Sequence, residues 1–418
     1  MQKLLKPLFH LPLYLFAFIS AGLNAAPFIP QSDSVVLEQL PFKASDPTTR
    51  ELRQLRAELS TNPRNLDKAT RLAQRYYELA LADGDPRFIG YAQAALTPWW
   101  DLADAPVPVL VLRATLRQYS HNFSSALTDL NLATRLEPGN GTAWSLLAAI
   151  HMVQADYATA RQDCDKLRDL ASSLIVVACH AAVDSLNGDA DKAYIALQKA
   201  YASTPAAPAN EKLWVLTRLA EISDRLGKAA EADAYFQAAL KLKISDAYLL
   251  AVYAEFLHDE NRHNEVIALL KDKERSDVLL MRLALAEKAL KTPRAAEHEE
   301  VIKVRFDAAR LRGDKLHIQD EARFYLYFLA NHPLPNPPPK GEGTNESLRK
   351  FYLNESLRLA QENWKDQHEP SDARMLMEAA LAAKDKVAAQ PALDWYKQSR
   401  IEDRHLLRLA KALQELKP

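Results

Sequence analysis

The sequence predicts an all-α protein assembled from repeated helical hairpins, and three observations carry that reading. Small residues recur near a fixed period at Ala92, Ala126, Ala160, Ala193, Ala232 and Val266, with spacings of 34, 34, 33, 39 and 34 residues. Glycine is scarce, 10 in 418 residues, against a usual share of about 7%. That scarcity disfavours sandwiches, barrels and propellers, which need many tight turns. Hydrophobic residues make up 48% and charged residues 26%, the mixture amphipathic helices require. With 53 basic and 54 acidic residues there is no cationic excess to displace counterions, so no nucleic-acid partner is expected.

In chain order, residues 1–25 read as a secretory signal peptide. Lys3 and Lys6 precede an apolar run from Leu8 to Leu23, and Ala25 supplies a small residue before the cut. The run is shorter than the ~20 residues a spanning helix needs. No membrane span is therefore expected after cleavage, and a periplasmic or secreted location is. Residues 26–50 contain Pro27, Pro30, Pro41 and Pro47 and read as an extended N-terminal segment.

Residues 51–330 carry the repeat. Four positions after most of the small residues stands a larger core residue, as at Leu96, Leu130, Leu197, Phe236 and Leu270. A second small residue often follows at seven, as at Ala133, Ala200 and Ala239, and Pro138 and Pro205 stop their helices. The clearest unit runs from Gly141 to about Ser172, with Trp144, Leu147 and Ala148 in its first helix and Tyr157 and Ala160 in its second. The unit before it carries Leu110, Ala114, Phe123, Ala126, Ala133 and Pro138. This pattern resembles the tetratricopeptide repeat (TPR) family over residues 65–276. Arg117 and His151 stand where that family usually has Tyr, and Cys164 replaces a large apolar residue. The resemblance implies a right-handed α-α superhelix, a solenoid whose first helices line a concave groove. It also implies a protein partner held in that groove.

Residues 331–356 read as a Pro-rich, low-complexity insertion. Pro333, Pro335 and Pro337 to Pro339 precede Lys340-Gly341-Glu342-Gly343, and a pentapeptide is duplicated at 345–349 and 354–358. Residues 357–418 read as C-terminal helices that continue the solenoid.

The two cysteines, Cys164 and Cys179, fall on adjacent helices at similar distances from a turn near Ala171. A disulfide between them is expected in an oxidising compartment. No CxxC, HExxH, P-loop or GxSxG motif occurs, so no catalytic residue, cofactor or metal site is expected. His258 and His263 would point about 140° apart on one helix, a helix break is expected near them, and they read as structural. The groove is expected to present Gln118, Tyr119, Ser145, Met152, Ser185, Trp214, Thr217, Glu221, Asp224, Tyr248, Glu255 and His258. Its later half is acidic with two aromatics, which suits a basic or aromatic-bearing partner segment. Trp99 and Trp100 are adjacent and cannot both face one helix's core, so they read as core packing plus a loop contact, with a contact surface as the alternative. The sequence thus points to a non-catalytic scaffold or adaptor. The alternative is a cell-envelope enzyme with converging carboxylates in the groove, or a small-ligand or metal carrier.

Overall fold

The computed structural model describes Ser32 and residues 45–314, 316–330 and 345–416. The signal segment 1–25, most of the extended segment and the prolines of the insertion lie outside the described residues. The chain divides into two units, 1–51 and 52–418. Among the described residues there is no strand.

Helix α1 (Pro47–Ser60) opens the described part, and α2 (Leu66–Asp83) pairs with α3 (Arg87–Ala95). After the one-turn α4 (Thr97–Trp100), α5 (Val107–Tyr119) pairs with α6 (Phe123–Leu136), and α7 (Gly141–Val153) with α8 (Tyr157–Lys166). The next hairpins are α9 (Ser173–Ser185) with α10 (Ala190–Ser203), and α11 (Ala209–Arg225) with α12 (Ala229–Leu240). Then come α13 (Ala247–Asp259) with α14 (His263–Leu270), and α15 (Asp277–Leu290) with α16 (Ala295–Leu311). From α5 to α15 each first helix touches the first helix of the next hairpin, which is the arrangement of a helical-hairpin solenoid.

The periodic residues explain why the hairpins close. Ala92, Ala126, Ala160, Ala232 and Val266 are 0% exposed and Ala193 is 4% exposed. Their small side chains let second helices lie close to first helices, and the larger residue one turn on fills the remaining space. Five positions before each of the last five stands a residue with left-handed backbone: His121, Ala155, Gly188, Gly227 and Asn261. Each ends a first helix, and the next residue's N–H reaches back five residues, as from Asn122 to the Arg117 carbonyl at 2.8 Å and from Asp156 to His151 at 2.8 Å. This is a Schellman turn. Glycine meets its backbone demand without strain at 188 and 227.

Arg117 and His151, which depart from the family pattern, have a shared use. Arg117 donates to Asp129 at 2.7 Å, and His151 Nδ1 lies 2.6 Å from Asp163. Both contacts cross one hairpin between positions twelve residues apart. Cys164 and Cys179 are disulfide-bonded, with Cα atoms 5.7 Å apart, and the bond joins α8 to α9. Replacing both cysteines by alanine is expected to cost about 3 kcal/mol, the loop-entropy value for a loop of about 15 residues. Urea unfolding would show it as a lowered midpoint, and an unchanged midpoint would remove the bond from the stability account.

The solenoid curls until its beginning meets its later hairpins. Gly84, at the end of α2, has φ +64°, and a Cβ there would lie 2.4 Å from Ser276 Oγ and 3.1 Å from Ala247 Cβ. Only glycine admits both the conformation and the approach.

The C-terminal part departs from the expected continuation. Helix α17 (Ile318–Phe324) runs into a π turn at 325–329, and α18 (Asn345–Asn363), α19 (Pro370–Ala383), α20 (Gln390–Ser399) and α21 (Arg404–Glu415) follow. Residues 345–356, read above as insertion, are helical, and the duplicated pentapeptides lie on α18. That stretch has no Gly or Pro and is rich in helix formers, and Ser356 is buried with its hydroxyl donating to the Ala322 carbonyl. These helices share a core of Leu357, Trp364, Leu376, Trp395, Leu406 and Leu413. Rather than extending the solenoid, they fold back along its row of hairpin turns. Gln367 bonds His121, the His368 N–H donates to the Val153 carbonyl at 2.7 Å, and Arg400 packs on Gly188. Trp395 Nε1 donates to the Tyr157 hydroxyl at 3.1 Å, and Arg404 ion-pairs with Asp224 and Glu260. The physical reason lies in those turns. Asp224 and Asp259 sit in the last turns of α11 and α13, where the helix dipole disfavours negative charge. Arg404 and Arg374 answer them from the returning helices.

Candidate functional site

The inner faces of the first helices and the returning helices line an open cavity of about 680 Å³. Its wall includes Tyr77 from α2, Gln118 and Tyr119 from α5, Met152 from α7 and Ser185 from α9. Trp214, Glu221 and Asp224 from α11 and Tyr248 and Glu255 from α13 continue it. Nine of the twelve residues expected in the groove therefore reach the wall. The other three do not. Ser145 is exposed near the start of α7 and its hydroxyl donates to the Gly141 carbonyl. Thr217 is buried inside the hairpin layer, donating to the Leu213 carbonyl. His258 turns toward α14, where its ring centroid lies 4.8 Å from that of His263. Ser145 shares the helix phase of Met152 but lies two turns nearer the start of α7, whereas Thr217 and His258 stand one residue, or about 100°, from the wall residues Arg218 and Asp259.

The expected acidic half is charge-balanced. Glu221 lies 2.9 Å from Arg218 and accepts the Tyr248 hydroxyl at 2.5 Å, while the Arg218 guanidinium stands 5.1 Å over the Tyr248 ring. Asp224 meets Arg404 at 2.6 Å and His405 at 3.4 Å. Glu255 meets Arg323 at 2.9 Å, Arg282 at 3.2 Å and Arg374 at 3.8 Å. Burial alone would raise the Glu255 carboxyl, but these three guanidiniums hold it well below the usual carboxylate range. Glu221, Asp224 and Glu255, expected to make this half acidic, are thus each paired with an arginine. Arg218 stands one turn before Glu221 on α11, whereas the arginines that answer Asp224 and Glu255 come from other helices.

Two acids that sequence reasoning missed complete the wall. Glu369 is the N-cap of α19 and Asp372 its third residue, and each carboxylate receives the other's backbone N–H in a capping box. Asp372 also accepts from Asn363 at 2.7 Å and Gln319 at 2.8 Å. Burial, then the nearby Asp372, raises the Glu369 carboxyl to about 7. Burial also raises Asp372, to about 6, against the hydrogen bonds it accepts. The two titrate as a pair. The spacing Glu369-Pro370-Ser371-Asp372 announces a helix start, and nothing local announces the cavity.

Elsewhere on the wall, burial pushes Tyr77 and Tyr119 up to about 12. Burial, assisted by His317, lowers His121 to about 4, so its imidazole is neutral at neutral pH. Trp99 and Trp100 lie outside this wall. Their carbonyls accept from Arg113 at 3.1 and 2.5 Å, which ties α4 into the fold. Among the described residues no group of three or more His, Cys, Asp or Glu is placed to hold a metal ion. No described helix is long and apolar enough to cross a membrane.

No protein-family model matches the chain, and no curated protein matches it. Solved structures of similar fold include a tetratricopeptide repeat protein from Parabacteroides merdae, 18% identical, with a TM-score of 0.44 over 57% of this chain and 92% of that one. Human IFIT1, solved as a dimer with m7Gppp-AAAA, is 13% identical, with a TM-score of 0.40 over 83% of this chain and 76% of that one. Yeast Tom70 is 12% identical, with a TM-score of 0.30 over 87% of this chain and 96% of that one.

Proposed function

We propose that this TPR-like solenoid is a non-catalytic interaction scaffold of the periplasm or the secreted space. It holds a short segment of a partner protein in its central cavity. The observation that carries the reading is the cavity itself. At about 680 Å³ it falls within the about 300–1,000 Å³ of ligand sites, which suits a few residues. Tyr119, Trp214 and Tyr248 offer the rigid aromatic surface that anchors side chains. The disulfide supports an oxidising compartment, and the apolar run after Lys3 and Lys6 supports export.

An envelope enzyme is the second reading, favoured by the raised carboxyls of Glu369 and Asp372 at one wall. Against it, both oxygens of Asp372 are committed, Oδ1 to Asn363 and Gln319 and Oδ2 to the Glu369 N–H. Such a carboxylate organises a helix start and is poorly placed to exchange a proton with substrate.

A photo-crosslinking amino acid placed at Met152, on the cavity wall, tests the scaffold reading in the producing cell. At least fivefold more polypeptide adduct is expected there than from the same group at Leu311, which is 90% exposed on the last solenoid helix. Equal yields at the two positions would refute the cavity as the binding place.

A further inference from the structure

Where the solenoid closes on itself, a stretch of the cavity wall is polar but uncharged. Tyr77 of α2, Gln118 and Tyr119 of α5, His121 at the following turn and His317 ahead of α17 line it. Closure brings them together. The end of α2 approaches Ser276 at Gly84, Tyr77 and Asp277 both act on Tyr119, and Asp277 lies 3.9 Å from His317 Nε2. Among the described residues the hydroxyls of Tyr77 and Tyr119 and the Gln118 side-chain amide bond no other protein group. His317 Nε2 is buried without a hydrogen-bond partner, on a side chain 11% exposed. His121 Nδ1 accepts from the Gln367 amide at 3.1 Å, which leaves the ring proton on Nε2 as a donor. The acids that act on these groups, Asp85, Asp246, Asp277 and Asp366, stand outside the cavity lining. Three of them are engaged: Asp85 by Arg87 at 2.7 Å, Asp246 by the Leu249 N–H at 2.7 Å and Asp277 by Arg305 at 2.8 Å. A charged side chain entering here would lose hydration and find those acids already committed. An uncharged one would find both donors and acceptors.

We propose that this corner seats a carboxamide, the side chain of an Asn or Gln on the partner segment, rather than the basic side chain expected from the sequence. The proposal rests on the scaffold reading above and names the chemistry that its cavity selects. A carboxamide carries a carbonyl acceptor and two N–H donors in one plane. The hydroxyls of Tyr77 and Tyr119 and the His121 Nε2–H supply donors for the carbonyl. The Gln118 carbonyl and His317 Nε2 supply acceptors for the N–H groups. The charged residues elsewhere on the wall pair with one another, so the neutral groups are the ones left to read the segment.

Random heptapeptides displayed on phage would be selected against the full chain, and those that crosslink to the photoreactive group at Met152 would be kept. Asn or Gln is expected at one shared position of the kept peptides. In calorimetric titration, exchanging that residue for its isostere Asp or Glu should weaken binding about tenfold or more, because the carboxylate is desolvated without a partner. The double variant Tyr77→Phe, Tyr119→Phe should weaken the parent peptide about tenfold, through two lost hydrogen bonds. It should melt like the parent, since these hydroxyls bond nothing in the protein. Raising the salt concentration tenfold should leave the affinity within about twofold, as binding without charge is not screened. Kept peptides that share a basic, acidic or apolar residue instead, equal binding of the charged isostere, or full affinity in the double variant would each overturn the proposal. Any of those three results leaves the scaffold reading standing, because the peptides still occupy the cavity. If no peptide crosslinks at Met152, the scaffold reading falls and this inference falls with it.

Discussion

Replacing Glu255 by glutamine is expected to destabilise the protein by about 3 kcal/mol at pH 7, the lower end for breaking a buried ion pair. Glu255 joins Arg282 of α15, Arg323 of α17 and Arg374 of α19, so it ties three helices to α13 around the cavity. Glutamine keeps the shape and removes the charge that offsets three guanidiniums. Asp320 and Asp259 still pair with these arginines, which sets the estimate at the lower end. The pH dependence has a definite sign. The folded Glu255 carboxyl lies below its ordinary value of 4.5, so its contribution is present above that pH and is lost as pH falls below it. Urea unfolding of parent and variant at pH 7 and pH 3 checks both statements. A gap under 1 kcal/mol at pH 7, or a gap that does not shrink at pH 3, would show that the other acids carry the network.

Replacing Asp129 by alanine is expected to cost about 3–5 kcal/mol, because it strands a buried guanidinium. Arg113 and Asp129 are each 3% exposed and meet in two bonds of 2.9 and 2.7 Å. The remaining Arg113 donors hold the carbonyls of Trp99, Trp100 and Leu102, so the loss also loosens α4. Tryptophan emission from the folded variant should shift toward that of solvated indole. Calorimetric melting gives the stability change, and a variant within 1 kcal/mol of the parent would mean that the three carbonyls alone satisfy Arg113.

How much of this was legible varies from residue to residue. Ala126 and Ala160 announce the hairpins because close helix contact tolerates only a small side chain, and that demand recurs with every unit. The disulfide was legible for the same reason, since one turn near Ala171 sets the relative height of Cys164 and Cys179. The groove residues were legible to within a helix phase, which is why Trp214 and Tyr248 reach the cavity while Thr217 and His258 do not. Arg374 and Arg404 were not legible as partners of Asp259 and Asp224, from which they are separated by 115 and 180 residues. The acids in the last turns of α11 and α13 were the available sign, because a helix end that disfavours them calls for a cation from elsewhere.

The sequence by itself determined the helices, their pairing into hairpins, the left-handed residue at each hairpin turn and the reach of the disulfide. All of these depend on residues within about one repeat of each other. The tertiary structure alone decided the closure of α2 against α13 and α15, the return of α18 to α21 along the turns, and the charge of the cavity. Closure depends on small rotations accumulated over successive hairpins, and the return depends on ion pairs across the chain. The cavity's charge is a sum over both, so an acidic stripe on paper became a wall whose acids are answered by arginines.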